Sequence, residues 1–100
     1  MEMEYEMMYI VKPISDGLAH EVNAKMSKLI EKCGGRVKQT DFWGKKRLAY
    51  EIQDFAEGEY VLLTFKASEA AVKELDRVMR ITEEVLRHMI LKKEYNYGKC

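Results

Sequence analysis

The sequence predicts an α+β domain in which a split βαβ unit occurs twice, in the order strand, helix, strand, strand, helix, strand. Three observations carry that prediction. Period-two apolar runs occur at Met3–Lys12, Arg36–Ile52, Tyr60–Ala67 and Val85–Lys93, and stretches of helical spacing lie after the first and third of them. Pro13, Gly34-Gly35 and Ser68 stand at the joints, where a chain must stop or start an element. The chain is 100 residues long with 47% hydrophobic residues, enough for one core and too short for a second domain.

In the first strand, Tyr5, Met7, Tyr9 and Val11 share one parity and Met8 and Ile10 the other. A strand apolar on both faces is expected to lie centrally in its sheet. Pro13 ends it, because proline cannot continue a ladder. Ser15 and Asp16 are the expected N-cap of the first helix. Its buried stripe is Val22, Met26, Leu29, Ile30 and Cys33, and Gly34-Gly35 ends it through the left-handed conformation glycine adopts freely. Lys25, Lys28 and Lys32 form a basic stripe on its outer side, read as a solvated face.

The second strand is long and is expected to bend at Gly44, since glycine inside a strand marks a bulge or kink. Leu48, Tyr50 and Ile52 share one face, while Lys45, Arg47, Ala49 and Glu51 point the other way. Trp43 beside the cations reads either as cover for the core edge or as a stacking platform for bases. Gln53 to Glu59 is expected to be the hairpin loop, with Asp54 and Gly58 as turn formers. On the returning strand Val61, Leu63 and Phe65 share a face. Ser68 caps the second helix, whose stripe is Val72, Leu75 and Met79 and which is expected to end near Met79-Arg80. Ile81 to Glu84 reads as a polar connection, and residues 95–100 as a short tail after a domain spanning 1–94. Right-handed crossovers place both helices on one face of a four-stranded antiparallel sheet, the ferredoxin-like arrangement. Met7, Tyr9, Met26, Ile30, Leu48, Phe65 and Leu75 are expected to be buried together.

Composition narrows the function. Seventeen basic and 17 acidic residues cancel, which argues against a free-standing nucleic-acid binder but leaves room for one that works beside a more basic partner. There is no apolar run of transmembrane length and no leader, so the chain reads as cytoplasmic with no membrane partner. Cys33 and Cys100 lack metal-ligand spacing and read as reduced thiols, and His20 and His88 form no local metal pair. No paired carboxylates, activated nucleophile or phosphate-binding glycine loop stands out, so no catalysis, cofactor, metal or small-molecule substrate is expected. Gly58 to Phe65 superficially matches an RNA-recognition motif, but aliphatic residues occupy the stacking positions.

Gly44-Lys45-Lys46-Arg47-Leu48-Ala49-Tyr50-Glu51-Ile52 resembles the signature of the bacterial small-subunit ribosomal protein six family at every constrained position. Gly35-Arg36-Val37 and the segment from Leu75 to Lys92, with Met79-Arg80-Ile81 and then Arg87 and Met89, extend the likeness over about the first 94 residues. The acidic start, Glu2 and Glu4, departs from it. The resemblance implies the same ferredoxin-like fold. It also implies a structural constituent of the small ribosomal subunit that binds the central domain of the small-subunit ribosomal RNA as a heterodimer with small-subunit protein eighteen. The RNA-facing residues it implies are Arg80, Arg87, Lys92, Lys93 and Tyr5. For the partner protein, the expected surface is an exposed apolar patch of Met8, Ile10 and Leu62, or the neighbouring strand holding Lys45 and Arg47. A metabolite-binding regulatory module and a single-stranded RNA binder of the RNA-recognition type remain alternatives on the same fold.

Overall fold

In a computed structural model that describes residues 2–93, the six elements follow in the expected order. They are β1 (Met3–Val11), α1 (Leu18–Lys32), β2 (Arg36–Ile52), β3 (Phe55–Ala67), α2 (Glu69–Ile81) and β4 (Val85–Lys92). The sheet order is β2-β3-β1-β4, and every pairing is antiparallel. β1, apolar on both faces, is hydrogen-bonded on both sides and lies inside the sheet. The tail expected at 95–100 lies outside the described residues.

Both helices pack on one face. Tyr5, Met7, Tyr9 and Val11 of β1 and Val61, Leu63, Phe65 and Ala67 of β3 meet Val22, Met26 and Ile30 of α1 and Leu75 and Met79 of α2. Tyr9 is fully buried and its hydroxyl donates to Asn23 Oδ1 at 3.0 Å, which satisfies the one polar atom its ring carries into the core. Burial pushes its phenol well above the ordinary range.

The helix ends differ from one another. Gly34-Gly35 closes α1 with paired bonds, Gly35 N–H to Ile30 C=O at 2.8 Å and Gly34 N–H to Glu31 C=O at 3.0 Å, around a left-handed Gly34. At its start neither Ser15 nor Asp16 caps the helix by a side chain; Gly17, with φ of 80°, holds the N-cap position. A missing side-chain cap costs about 1 kcal/mol, less than the roughly 1.5–3 kcal/mol from burying any one of Val22, Met26 or Ile30, so packing holds this helix. α2 has the expected cap, with Ser68 Oγ accepting from Ala71 N–H at 3.2 Å. It runs on to Ile81, and Thr82 is buried with its hydroxyl donating to Val78 C=O at 2.6 Å.

Two expectations about the hairpin are corrected. The loop is only Gln53-Asp54, with φ of 50° and 69°, positive at both central positions as a type I′ turn requires. The ladder therefore continues through the stretch expected to be loop, with Arg47 opposite Glu57, Lys46 opposite Gly58 and Lys45 opposite Glu59. Gly58 is buried rather than a turn former: a Cβ there would collide with Ile10 Cγ2. Gly44 is the bend, with φ of 82° at a register shift between Phe42 and Gly44.

Beyond that bulge Leu48 leaves the main core. It packs with Ile10 of β1 and Leu86 of β4 in a second cluster, backed by Ile52, Phe55 and Tyr60. Ile10 and Met8 have the parity opposite the helix-facing residues of β1, so this cluster lies on the sheet face away from the helices. The far half of the hairpin is seated there, and that end of the face is not open.

Candidate nucleic-acid and partner interfaces

The seated hairpin brings the two edges of the sheet together. Tyr50 lies between Leu48 and Ile52 at period two, and its hydroxyl accepts from Arg87 Nη1 of β4 at 2.7 Å. The Arg87 guanidinium carbon is 5.5 Å from the centre of the tyrosine ring, close enough for cation–π attraction. A cleft of about 140 Å³ lies between them over Ile10, Leu48, Ile52 and Tyr60. Arg87 is exposed and pairs in register with Ile10, on the side away from the helices.

Arg80 occupies the other side of β4. Its guanidinium bonds Asp76 Oδ2 at 2.7 Å, and His88 Nε2 lies 2.6 Å from Asp76 Oδ1. One carboxylate on α2 thus holds Arg80 and the helix-facing His88 together. Asp76, His88, Lys73, Lys92 and Tyr5 line a cleft of about 370 Å³ between α2 and β4. Lys92 sits opposite Tyr5 in register. Arg80 and Arg87 therefore flank the edge strand from opposite faces. Tyr5, expected to face RNA, is 6% exposed and stacked on Phe65 with ring centres 5.8 Å apart, a core residue that also lines this cleft.

Lys93 lies at the exit of β4, where its backbone N–H donates to Glu4 C=O at 2.9 Å. Its ammonium is 3.2 Å from Glu4 Oε2 and 4.0 Å from Glu6 Oε2. Glu4 also accepts from Lys38 Nζ at 3.0 Å, so a carboxylate on β1 is gripped by lysines from both edges of the sheet. The Lys38 hydrogen bond first, and that of Lys93 second, hold its carboxyl below the ordinary carboxylate range. The acidic start that departs from the family pattern is thus in part an internal ion-pair site.

The expected partner residues separate into two surfaces. Met8 and Leu62 are half-buried neighbours in register, and Met89 stands opposite Met8 on its other side, making an apolar row Leu62–Met8–Met89 across three strands. Met89 and Leu91 are each 53% exposed. Ile10, expected to be exposed in this patch, is 8% exposed beneath the hairpin. Lys45 lines a different cleft with Ile14, Asp16 and Glu59, next to the loop that enters α1, and Arg47 has the same parity. Met89 and Leu91 were missing from the expected patch although they share Arg87's parity; which strand lies beside β1 is what puts them there. Trp43 is 47% exposed, and Phe42 next to it stacks on His20 at 4.0 Å.

Among the described residues no group of three His, Cys, Asp or Glu side chains is placed to hold a metal, and no helix is long and apolar enough to cross a membrane. Cys33 is an exposed free thiol at the C-cap of α1.

Comparison with known proteins places this geometry. The family profile described as ribosomal protein S6 matches residues 4–92. The small ribosomal subunit protein bS6 of Desulforudis audaxviator is 47% identical over 92 residues, covering 91% of this chain and 98% of the relative. That of Clostridium botulinum strain 657 is 45% identical over 92 residues, with the same coverage. The crystal structure of 30S ribosomal protein S6 from Thermotoga maritima superposes with a TM-score of 0.85 at 28% identity, covering 93% of this chain and 89% of that one. With its signature strand, its fold and nearly its whole described length in agreement, the chain belongs to the ribosomal protein S6 family.

Proposed function

We propose that this protein, a structural small-subunit ribosomal protein by family and not an enzyme, binds the central domain of the small-subunit ribosomal RNA as a heterodimer with small-subunit protein eighteen. The observation that carries the reading is the juxtaposition on one sheet face of the apolar row Leu62–Met8–Met89 with the exposed Arg87 of the edge strand. Exposed apolar patches mark interaction sites, and arginine matches phosphate through its planar fork. The partner covers the apolar row. RNA follows the β4 edge, with Arg87 on one side and Arg80 and Lys92 on the other. A net charge of zero suits this division, because a basic partner adds the long-range attraction this chain lacks.

The test is recovery of the tagged protein from a bacterial lysate, with mass identification of what accompanies it. Small-subunit RNA together with a small basic protein supports the reading. Recovery with a bound metabolite and neither of those macromolecules contradicts it and favours the regulatory module.

A further inference from the structure

We propose that Tyr50 is a positioning residue: it sets the guanidinium of Arg87 for phosphate and does not itself bind RNA. The inference rests on the reading of Arg87 as an RNA-facing residue. Arg87 stands on an edge strand, on a long side chain that would otherwise sample many rotamers. Its Nη1 donates to the Tyr50 hydroxyl at 2.7 Å, its charge lies 5.5 Å from the ring centre, and no other partner holds it among the described residues. One of its five N–H donors is used this way, and the remaining four are left for a ligand. A bidentate phosphate contact needs the planar fork presented in one orientation. The tyrosine supplies that constraint before the ligand arrives.

The delivery of Tyr50 is built into the hairpin. β2 and β4 are the opposite edges of the sheet, and 37 residues separate Tyr50 from Arg87 in sequence. The bulge at Gly44 redirects β2, and Leu48 and Ile52, on either side of Tyr50 at period two, pack into the cluster of Ile10 and Leu86. Buried Gly58 lets β3 approach closely enough for that cluster to form. The part of the signature strand that follows the cations thus serves a residue on the far edge. This also explains why a tyrosine that is 60% exposed stands between two apolar residues facing the sheet.

A double-mutant cycle tests the proposal, using the pre-formed heterodimer with protein eighteen and a central-domain RNA fragment at fixed salt. Tyr50→Phe keeps the ring and removes the hydroxyl. The expected result is RNA binding weakened about three- to tenfold, the range for one side chain that must be ordered on binding, with an unchanged melting temperature and unchanged heterodimer affinity. In the Arg87→Ala background, Tyr50→Phe is expected to have no further effect, because the tyrosine acts through the arginine. An equal loss in both backgrounds overturns the proposal by showing that Tyr50 contacts RNA itself or acts through the fold. No loss in the wild-type background overturns it as well. If Arg87→Ala alone leaves RNA affinity unchanged, the RNA reading of Arg87 fails and the inference falls with it, an outcome distinct from the first two.

Discussion

Leu48 and Ile10 pack together on the face of the sheet turned away from both helices, with Leu86 as their third partner. Among the described residues there are therefore two apolar clusters, and the smaller one seats the far half of the hairpin. Gly58→Ala directs a methyl group at Ile10 Cγ2, with Val11 C=O 3.5 Å and Leu86 Cδ1 3.6 Å away. Overpacking of this kind costs typically 1–3 kcal/mol, so a loss of about that size is expected. Urea unfolding measures it, and a change within about 0.5 kcal/mol, as at ordinary surface positions, contradicts the packing described.

Phe65 tests the main core. It is fully buried on β3 and stacked on Tyr5. Phe65→Ala removes a ring and leaves a cavity, an expected loss of about 3–5 kcal/mol. A loss under about 1 kcal/mol in the same melts contradicts its facing.

Glu4 gives the stability a pH dependence of defined sign. Its lysine partners lower its carboxyl below the unfolded reference of 4.5. Its contribution is therefore fully present above that reference and is lost as pH falls through the lower native value. The stability difference between the wild type and Glu4→Gln should be constant at neutral pH and shrink on acidification below about pH 4.5. A difference that instead grows as pH falls is incompatible with the Lys38 and Lys93 grip.

The partner surface can be probed without disturbing the fold. Ile10 is unsuitable because it is buried, but Leu62 and Met89 lie in one row and retain exposure. Replacing both by serine should weaken the heterodimer while leaving the urea midpoint nearly unchanged. Unchanged heterodimer affinity by calorimetry moves the partner to the Lys45 and Arg47 side of the hairpin.

All six elements were legible because their signals are local. Period two marked the strands, Gly34-Gly35 closed α1, Ser68 opened α2, and Gly44 marked the bend. The errors fell where a residue's meaning depends on distant chain. Gly58 reads as a turn in isolation, yet it is the space that Ile10 fills. Leu48 has core chemistry, but which core it enters is decided by the bulge four residues earlier. Tyr5 is RNA-facing only by the family resemblance, whereas its parity with Met7 and Tyr9 already puts it on the core side, where it is buried against Phe65. For the candidate interfaces, residue types were legible and grouping was not. Parity in β4 put Arg87 with Met89, but the link from Arg80 through Asp76 to His88 required α2 to be placed against the strand.

In the proposed function, RNA recognition belongs to the heterodimer and runs along both sides of β4. The most direct measurement is the salt dependence of central-domain RNA binding, with and without protein eighteen, for the wild type and for Arg80→Ala with Arg87→Ala. Tight binding is expected only with the partner present. The slope of log affinity against log salt should become shallower by up to about two in the double mutant, near 0.9 for each phosphate no longer neutralised if this RNA behaves as duplex DNA does. Equal RNA affinity with and without the partner, or a double mutant with the wild-type slope and affinity, contradicts the account.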